Sequence, residues 1–240
     1  ITDSHGRIIA ILGGNPRDAA GWKVVTEGAA RLMRDNAHRL SHSEKDLHHR
    51  RAQEPFPQVS RGVSLGGGQT EPGELHNNLA NVAVTDELLG HDYFKRLSGF
   101  ANKLMWIFAP LLTSFYVVQM GMLAARYPNL TWNLVGTLFA ACTFNFGPHT
   151  ITVPHLDFGN LSWGWCAITA LGWFDPDVGG HLILWDLKLV IRFPPGSTII
   201  IPSAICRHSN VPVGPEETRF SFTQYTAGGL FRWIRNGFKS

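Results

Sequence analysis

The feature that most constrains the fold of this chain is the spacing of three residues that can bind a metal, His155, Asp157 and His208. In an extended strand, residues two positions apart point to the same side, so His155 and Asp157 would project together into one cavity. Two imidazoles and one carboxylate can occupy one face of an octahedral iron ion and leave its other positions open. The spacing therefore predicts a β-rich fold in which His208 returns to complete a metal site.

Arg219 and Ser221 follow His208 and are again two positions apart. On a strand they would face the same way. The planar guanidinium group of arginine can hold a carboxylate through two parallel hydrogen bonds. We therefore expect Arg219 to bind a carboxylate, with Ser221 facing the same way.

Turn residues separate short apolar runs throughout this part of the chain. Gly179 and Gly180 precede one run, and the sequence PPGS at 194–197 precedes the apolar run at 198–201. Such punctuation is typical of an antiparallel barrel. A single His-x-Asp pair is also compatible with a polar surface turn, but the complete ordered set favours a metal site.

The distribution of apolar residues predicts an α+β fold. Residues 1–138 form a mainly helical part, with helices expected at 18–40 and 75–89, whereas residues 139–240 have the alternation and turns of strands. We expect the N-terminal helices to pack on the outer face of a β-barrel that holds the metal site.

One apolar segment has the length of a membrane span. Residues 104–125 contain no charged side chain, and such a length could cross a bilayer. Pro110, Gln119 and Gly121 interrupt the run, and a helix that is apolar all round can also be buried within a large protein. We therefore predict a buried helical region over 104–127, packed on the barrel, and no membrane span.

Composition limits the environment and the partners of the chain. It is 44% hydrophobic and 16% charged, which is sufficient for a substantial core. The three cysteines have no zinc-binding spacing, so a reducing intracellular compartment is expected. A net charge of +3 does not by itself indicate nucleic acid. The basic stretch at 38–51 is compatible with solvated surface or with phosphate contacts.

Three motifs carry a resemblance to a known family. They are PHLDFGN at 154–160, GGH at 179–181 and RFSFTQY at 219–225, and VSLGGGQ at 63–69 also fits. With these motifs, the segment from about 145 to the end resembles the double-stranded β-helix (jelly-roll) core of the 2-oxoglutarate/Fe(II) dioxygenases. Within that superfamily the chain resembles the TET/JBP branch, in particular the TET-like proteins found with transposons in mushroom-forming fungi. The resemblance implies a single TET-like dioxygenase domain over 1–240.

The resemblance also implies a ligand set. Fe(II) would be held by His155, Asp157 and His208, and 2-oxoglutarate would chelate the metal with its distal carboxylate on Arg219 and Ser221. Molecular oxygen, O2, would be the other co-substrate. His181 would touch 2-oxoglutarate. A structural role for this histidine, after its Gly-Gly turn, is the alternative.

For the substrate, the resemblance implies a flipped DNA base. Asn160 would read its polar edge, because an amide both donates and accepts hydrogen bonds. Tyr225 would stack on the base, although a core aromatic is the alternative. Gly68 and Gln69 would approach the nucleotide or form a flexible hairpin loop. Ala227 departs from the histidine common in the family, which calls a strict preference for 5-methylcytosine into question and leaves room for N6-methyladenine.

The expected function is therefore a 2-oxoglutarate/Fe(II) dioxygenase that oxidises the methyl group of 5-methylcytosine to hydroxymethyl and further products, with N6-methyladenine as a further candidate. Its partner would be methylated DNA, and it would act as a nuclear monomer. One alternative is the same chemistry on RNA, protein or a small molecule. Another is a metal-free binding module, which is disfavoured because His155, Asp157, His208 and Arg219 are all present.

Overall fold

The computed structural model describes residues 1–239 and has a mixed helical and β-sheet architecture. The helices are α1 (Ala19–Asn36), α2 (Glu44–Leu47), α3 (Leu79–Gly90), α4 (Asp92–Phe108), α5 (Pro110–Arg126) and α6 (Gly228–Arg235). The strands are β1 (Ile11–Gly14), β2 (Gln58–Ser64), β3 (Gly73–Glu74), β4 (Ala141–Asn145), β5 (Cys166–Trp173), β6 (Leu182–Leu184), β7 (Leu189–Ile191), β8 (Thr198–Ile201), β9 (His208–Asn210) and β10 (Thr218–Tyr225).

The strands form two antiparallel sheets with a cavity between them. The larger sheet has the order β1-β8-β5-β10-β4-β2-β3, and the smaller has the order β7-β6-β9. Side chains from both sheets line the cavity. This arrangement agrees with the predicted α+β class and jelly-roll core. The larger sheet also includes β1, β2 and β3 from the N-terminal part of the chain.

Strand β10 lies in the middle of the larger sheet, and the side chains on its outer face contact the helices. It pairs with β5 on one side and β4 on the other. Its alternate residues Phe220 and Phe222 point away from the cavity into an aromatic core. There, the ring of Phe94 from α4 lies 5.3 Å from that of Phe222 and 5.1 Å from that of Phe144. The helices therefore pack on the outer face of the sheet, as predicted.

Helix α1 is positioned by its cap and by one buried tryptophan. The Asp18 carboxylate accepts a hydrogen bond from the Gly21 backbone N–H at 3.0 Å, which satisfies one of the unpaired donors at a helix start. The apolar face buries Trp22, Val25 and Met33. The Trp22 indole donates to the Gly196 carbonyl at 2.9 Å, which fixes the helix to the turn before β8.

The apolar region around 104–127 forms two helices rather than one continuous span. Helix α4 ends at Phe108, and α5 starts at Pro110, where a proline without an N–H is well tolerated. Tyr116 and Leu123 are buried, but Leu111 is 87% exposed. The predicted helical region is therefore divided into two helices, and α5 leaves one apolar face uncovered. No helix within the described residues has the length and hydropathy required to cross a bilayer.

Candidate metal centre

The side chains of His155, Asp157 and His208 converge at one end of the cavity. His155 and His208 exchange two backbone hydrogen bonds of 3.0 Å each, so their rings lie side by side with centroids 4.3 Å apart. The Nε2 atom of His155 lies 3.8 Å from Asp157 Oδ1, and the Nε2 atom of His208 lies 3.9 Å from Asp157 Oδ2. One ligand atom from each residue lies within 4.8 Å of the others. This geometry fits a single metal ion.

Backbone carbonyls orient both imidazoles. His155 Nδ1 lies 2.8 Å from the Val153 carbonyl, and His208 Nδ1 lies 3.0 Å from the Cys206 carbonyl. A proton on Nδ1 donates to such a carbonyl and leaves Nε2 free to bind metal. Burial, reinforced by the neighbouring His208, lowers the pKa of His155 to about 4. Burial also lowers the pKa of His208. Both rings are therefore neutral near pH 7, which is the form that binds a metal.

Arg51 contacts the same carboxylate and was not identified from the sequence. Its Nη2 atom lies 2.9 Å from Asp157 Oδ1. The angle does not suit a hydrogen bond, so Oδ1 keeps no hydrogen-bond partner among residues 1–239. The segment that carries Arg51 is held in place because Val153 N–H donates to the Arg51 carbonyl at 2.9 Å and Gln53 N–H donates to the Ile151 carbonyl at 3.0 Å.

Arg219 is a buried cation that lines the same cavity. It is 4% exposed, and its Nη1 donates to the Thr150 carbonyl and hydroxyl, each at 3.0 Å. Its Nε has no hydrogen-bond partner in the part of the chain that the structure describes, and no carboxylate there pairs with it. Burial lowers the pKa of Arg219 to about 10, so the group stays charged at neutral pH. A buried charge without a counterion is costly, and this arrangement fits an anionic ligand.

Ser221 lies on the cavity face of β10 beside Arg219. Its hydroxyl oxygen accepts a hydrogen bond of 2.9 Å from the Asn145 side-chain amide. Because the oxygen is the acceptor in this contact, the hydroxyl proton can be donated into the cavity. Arg219 and Ser221 together therefore offer several donors to one carboxylate.

Asn160 and Tyr225 line the same cavity, which has a volume of about 380 Å³. The Asn160 amide donates to the Ser203 hydroxyl at 3.2 Å. The Tyr225 hydroxyl accepts from the Thr143 hydroxyl at 3.2 Å, and burial raises the pKa of Tyr225. The backbone of Ala227 pairs with that of Asn160. The structure thus brings both predicted base-contacting residues to the metal cavity.

His181, Gly68 and Gln69 lie elsewhere. His181 precedes β6, and it does not belong to the cavity lining in the part of the chain that the structure describes. Gln69 lies in an exposed glycine loop, where its side-chain oxygen accepts from the Gly66 N–H at 3.2 Å. Gly68 has a φ of +95°, which suits a turn that glycine adopts readily. Contacts from these three residues to co-substrate or nucleotide stay predictions.

The residues that sequence reasoning missed come from the segment before β2. His49 and Arg51 line the cavity together with Arg50. Arg50 also stacks over the exposed ring of Phe158, with its guanidinium carbon 4.6 Å from the ring centroid. The only signal for them was the basic stretch at 38–51, which says nothing about which side chains enter the cavity.

The sequence matches no known family and no curated protein. Among solved structures, NgTET1 in complex with 5mC DNA matches with a TM-score of 0.64 and 16% identity, over 95% of this chain and 75% of that chain. A 2OG-Fe(II) oxygenase family oxidoreductase from Burkholderia pseudomallei matches with a TM-score of 0.43 and 18% identity, over 80% and 74% of the two chains. A Pseudomonas putida prolyl-4-hydroxylase gives 0.42 and 15%, over 91% and 92%.

The similarity to NgTET1 shows a shared fold. The predicted jelly-roll class and the TET-like resemblance are thereby confirmed at the level of the fold. The residues of the cavity fit Fe(II) and 2-oxoglutarate, because the His-Asp-His set and the buried arginine supply what a metal and a dicarboxylate need. The narrower resemblance to transposon-associated fungal proteins stays a prediction.

Proposed function

We propose that the protein is an Fe(II)/2-oxoglutarate-dependent dioxygenase that oxidises the methyl group of a modified DNA base. The first substrate is 5-methylcytosine, converted to the hydroxymethyl form and further products, and N6-methyladenine is a second substrate. The observation that carries the proposal is the buried His155–Asp157–His208 set in one cavity with the unpaired cation of Arg219. The fold shared with NgTET1 supports it.

Each group in the cavity has a distinct task in this proposal. His155, Asp157 and His208 hold the metal on one face, and Arg219 with Ser221 binds the distal carboxylate of 2-oxoglutarate. Fe(II) with 2-oxoglutarate and O2, when bound, supplies the oxidising power that converts a methyl C–H bond to a hydroxymethyl group. The enclosing sheets exclude water and hold the methyl group at the metal.

The burial of the metal ligands requires the base to leave the duplex. Asp157 is 7% exposed and His208 is 5% exposed, so a methyl group within a base stack could not approach the metal. Extruding a base costs a few kcal/mol. Stacking on Tyr225 and polar contacts from Asn160 offset this cost, because aromatic stacking contributes roughly 1–3 kcal/mol per base. The solved structure of NgTET1 is a complex with 5mC DNA, which supports this choice of substrate class. A nuclear location, which suits a DNA substrate, and a monomeric state are further parts of the proposal.

The decisive experiment is mass spectrometry of defined oligonucleotides. Single- and double-stranded DNA that carries 5-methylcytosine, N6-methyladenine or no methyl group is incubated with protein, Fe(II), ascorbate and 2-oxoglutarate. We expect hydroxymethyl and further oxidised cytosine, together with loss of the N6-methyl group. Omission of 2-oxoglutarate is the control. If neither base is oxidised while a methylated RNA, peptide or small molecule stimulates 2-oxoglutarate turnover, the proposed DNA substrate is wrong. Only the proposal of a 2-oxoglutarate-dependent oxygenase then stands.

Two variants test how the base is held. Tyr225→Ala should lower activity on duplex DNA by about 10- to 100-fold, since the stacking energy is lost, while decarboxylation of 2-oxoglutarate without substrate stays measurable. Asn160→Ala should change the ratio of activities on 5-methylcytosine and N6-methyladenine, because the two bases present different polar edges. An unchanged ratio would mean that Asn160 does not contact the base.

A further inference from the structure

Three residues that line the metal cavity have buried side-chain atoms without a hydrogen-bond partner among residues 1–239. They are Asp157 at Oδ1, Arg219 at Nε, and His49 at both ring nitrogens. Buried polar atoms are nearly always hydrogen-bonded, so each exception needs an explanation. The metal explains Asp157, and an anionic co-substrate explains Arg219. His49 is left without a ligand in the function described so far.

The position of His49 is fixed by its surroundings. Ala52 N–H donates to the His49 carbonyl at 2.9 Å and closes a tight turn. The His49 ring packs edge-on against the buried ring of Phe56, with centroids 4.6 Å apart. The imidazole is therefore held in one place, although its nitrogens contribute nothing to holding it there.

His49 lies where the metal cavity meets an adjoining groove. It lines the metal cavity and also this groove, which has a volume of about 440 Å³ and includes Lys45 and Arg50. Arg219, by contrast, is only 4% exposed and lines only the metal cavity. His49 therefore stands at the boundary between the two spaces, whereas Arg219 belongs to the metal cavity alone.

The chemistry of His49 suits a neutral polar ligand. Burial lowers the pKa of His49, and the nearby charge of Arg51 lowers it further. A neutral imidazole offers one N–H donor and one acceptor nitrogen. The two nitrogens point in diverging directions, so one of them can hydrogen-bond a base edge, by accepting from an exocyclic amine or donating to a ring nitrogen, as cytosine and adenine present them.

We propose that His49 hydrogen-bonds the polar edge of the substrate base where the metal cavity meets the groove. The proposal rests on the proposed function, since it presupposes a base as the ligand. It makes His49 a binding residue of the substrate, separate from the metal ligands and from the residues that hold 2-oxoglutarate.

The test compares His49→Phe with His49→Gln. Phenylalanine keeps a ring against Phe56 and removes both nitrogens, whereas glutamine restores a donor and an acceptor. His76→Phe is the matched control, because His76 is exposed and lines only the adjoining groove. For each protein we measure the Kd of a labelled methylated oligonucleotide by fluorescence anisotropy, KM for oligonucleotide and for 2-oxoglutarate, kcat and the midpoint of thermal unfolding.

His49→Phe should raise Kd and KM for the methylated oligonucleotide by about fivefold to tenfold, the effect of one lost hydrogen bond. KM for 2-oxoglutarate and the unfolding midpoint should stay near the wild-type values. His49→Gln should recover part of the loss, and His76→Phe should behave as wild type. If His49→Phe lowers the unfolding midpoint, His49→Leu replaces it as the apolar variant.

Each contrary outcome has its own meaning. A rise confined to KM for 2-oxoglutarate would assign His49 to the co-substrate and overturn the proposal. If the apolar variants keep the wild-type Kd and KM for the methylated oligonucleotide, His49 does not contact the base, and the proposed function still stands. Wild-type protein that oxidises no methylated base would refute the proposed function itself, and the base contact with it.

Discussion

The metal cavity has two walls that differ in what fixes their side chains. The strand wall consists of Arg219, Ser221, Thr223 and Tyr225, which alternate along β10 and all line the cavity. Strand β10 pairs with β5 over residues 218–224 and with β4 over residues 221–225, so at least one ladder sets the register of each position. The loop wall consists of His49, Arg50 and Arg51. It is attached mainly through a short pairing of residues 51–53 with 151–153.

This difference indicates a division of labour within one cavity. Groups on the strand wall have a rigid support, which suits the fixed geometry proposed for a chelating co-substrate at Arg219 and Ser221 and for a stacked base at Tyr225. Groups on the loop wall are held by few backbone hydrogen bonds, which suits contacts with a large substrate that must enter and leave. Asp157 lies between β9 and the loop wall, because His208 of β9 lies 3.9 Å and Arg51 of the loop wall lies 2.9 Å from its carboxylate.

The largest effect is expected at Asp157, between β9 and the loop wall. Asp157→Ala should abolish turnover and weaken Mn(II) binding by more than about 100-fold, because it removes the anionic ligand. Electron paramagnetic resonance of Mn(II) gives the affinity, and succinate production gives the turnover. Asp186→Ala is the control, because Asp186 pairs with Arg207 outside the cavity. Wild-type metal affinity in Asp157→Ala would remove the basis for the metal centre.

A second substitution tests the rigid geometry of the strand wall. Arg219→Lys should raise KM for 2-oxoglutarate by about 10- to 100-fold, because lysine keeps the charge but loses the planar pair of donors. Arg207→Lys is the control, since Arg207 is exposed and lies 3.8 Å from Asp186. An unchanged KM in Arg219→Lys would show that another cation, with Arg51 the nearest candidate, binds the distal carboxylate.

The buried imidazoles predict a pH dependence of stability. The pKa values of His155 and His208 are lowered in the folded protein, so the unfolded chain takes up protons first as the pH falls. The free energy of unfolding of the metal-free protein should therefore decrease between pH 6.5 and about 4, by on the order of 2 kcal/mol. Urea denaturation with a chelator at pH 7 and pH 5 measures this change, and His155→Asn should reduce it. Equal stability at both pH values would contradict the prediction.

The smallest effect is expected on the loop wall. Arg51→Gln should tighten Mn(II) binding by about threefold to tenfold, because the guanidinium beside Asp157 repels a second cation. Arg51 is partly exposed, so the difference from wild type should shrink in high salt. Arg50→Gln is the matched control, since Arg50 stacks on Phe158 instead. Weaker metal binding in Arg51→Gln would mean that Arg51 holds Asp157 in the ligand geometry, and that the loop wall is as rigid as the strand wall.

The sequence predicted the strand wall far better than the loop wall. The two-residue spacing of His155 with Asp157 and of Arg219 with Ser221 translates directly into side chains on one side of an extended chain. The entry of His49 and Arg51 into the cavity depends on a pairing between segments about one hundred positions apart. No local periodicity encodes such a contact. Pro110 marked the break between α4 and α5 in the sequence. Which face of α5 stays exposed depends on how that helix packs in the folded protein.

Strand β10 also restricts how the chain can vary. Its cavity side chains alternate with Phe220 and Phe222, which fill the aromatic core beneath the helices. Inserting or deleting one residue before Arg219 would exchange the two faces, with a guanidinium placed in the core and a phenyl ring at the metal. Both activity and folding would be lost in one step. Homologous chains should therefore keep the length of this strand constant, even where the loops at its two ends gain or lose residues.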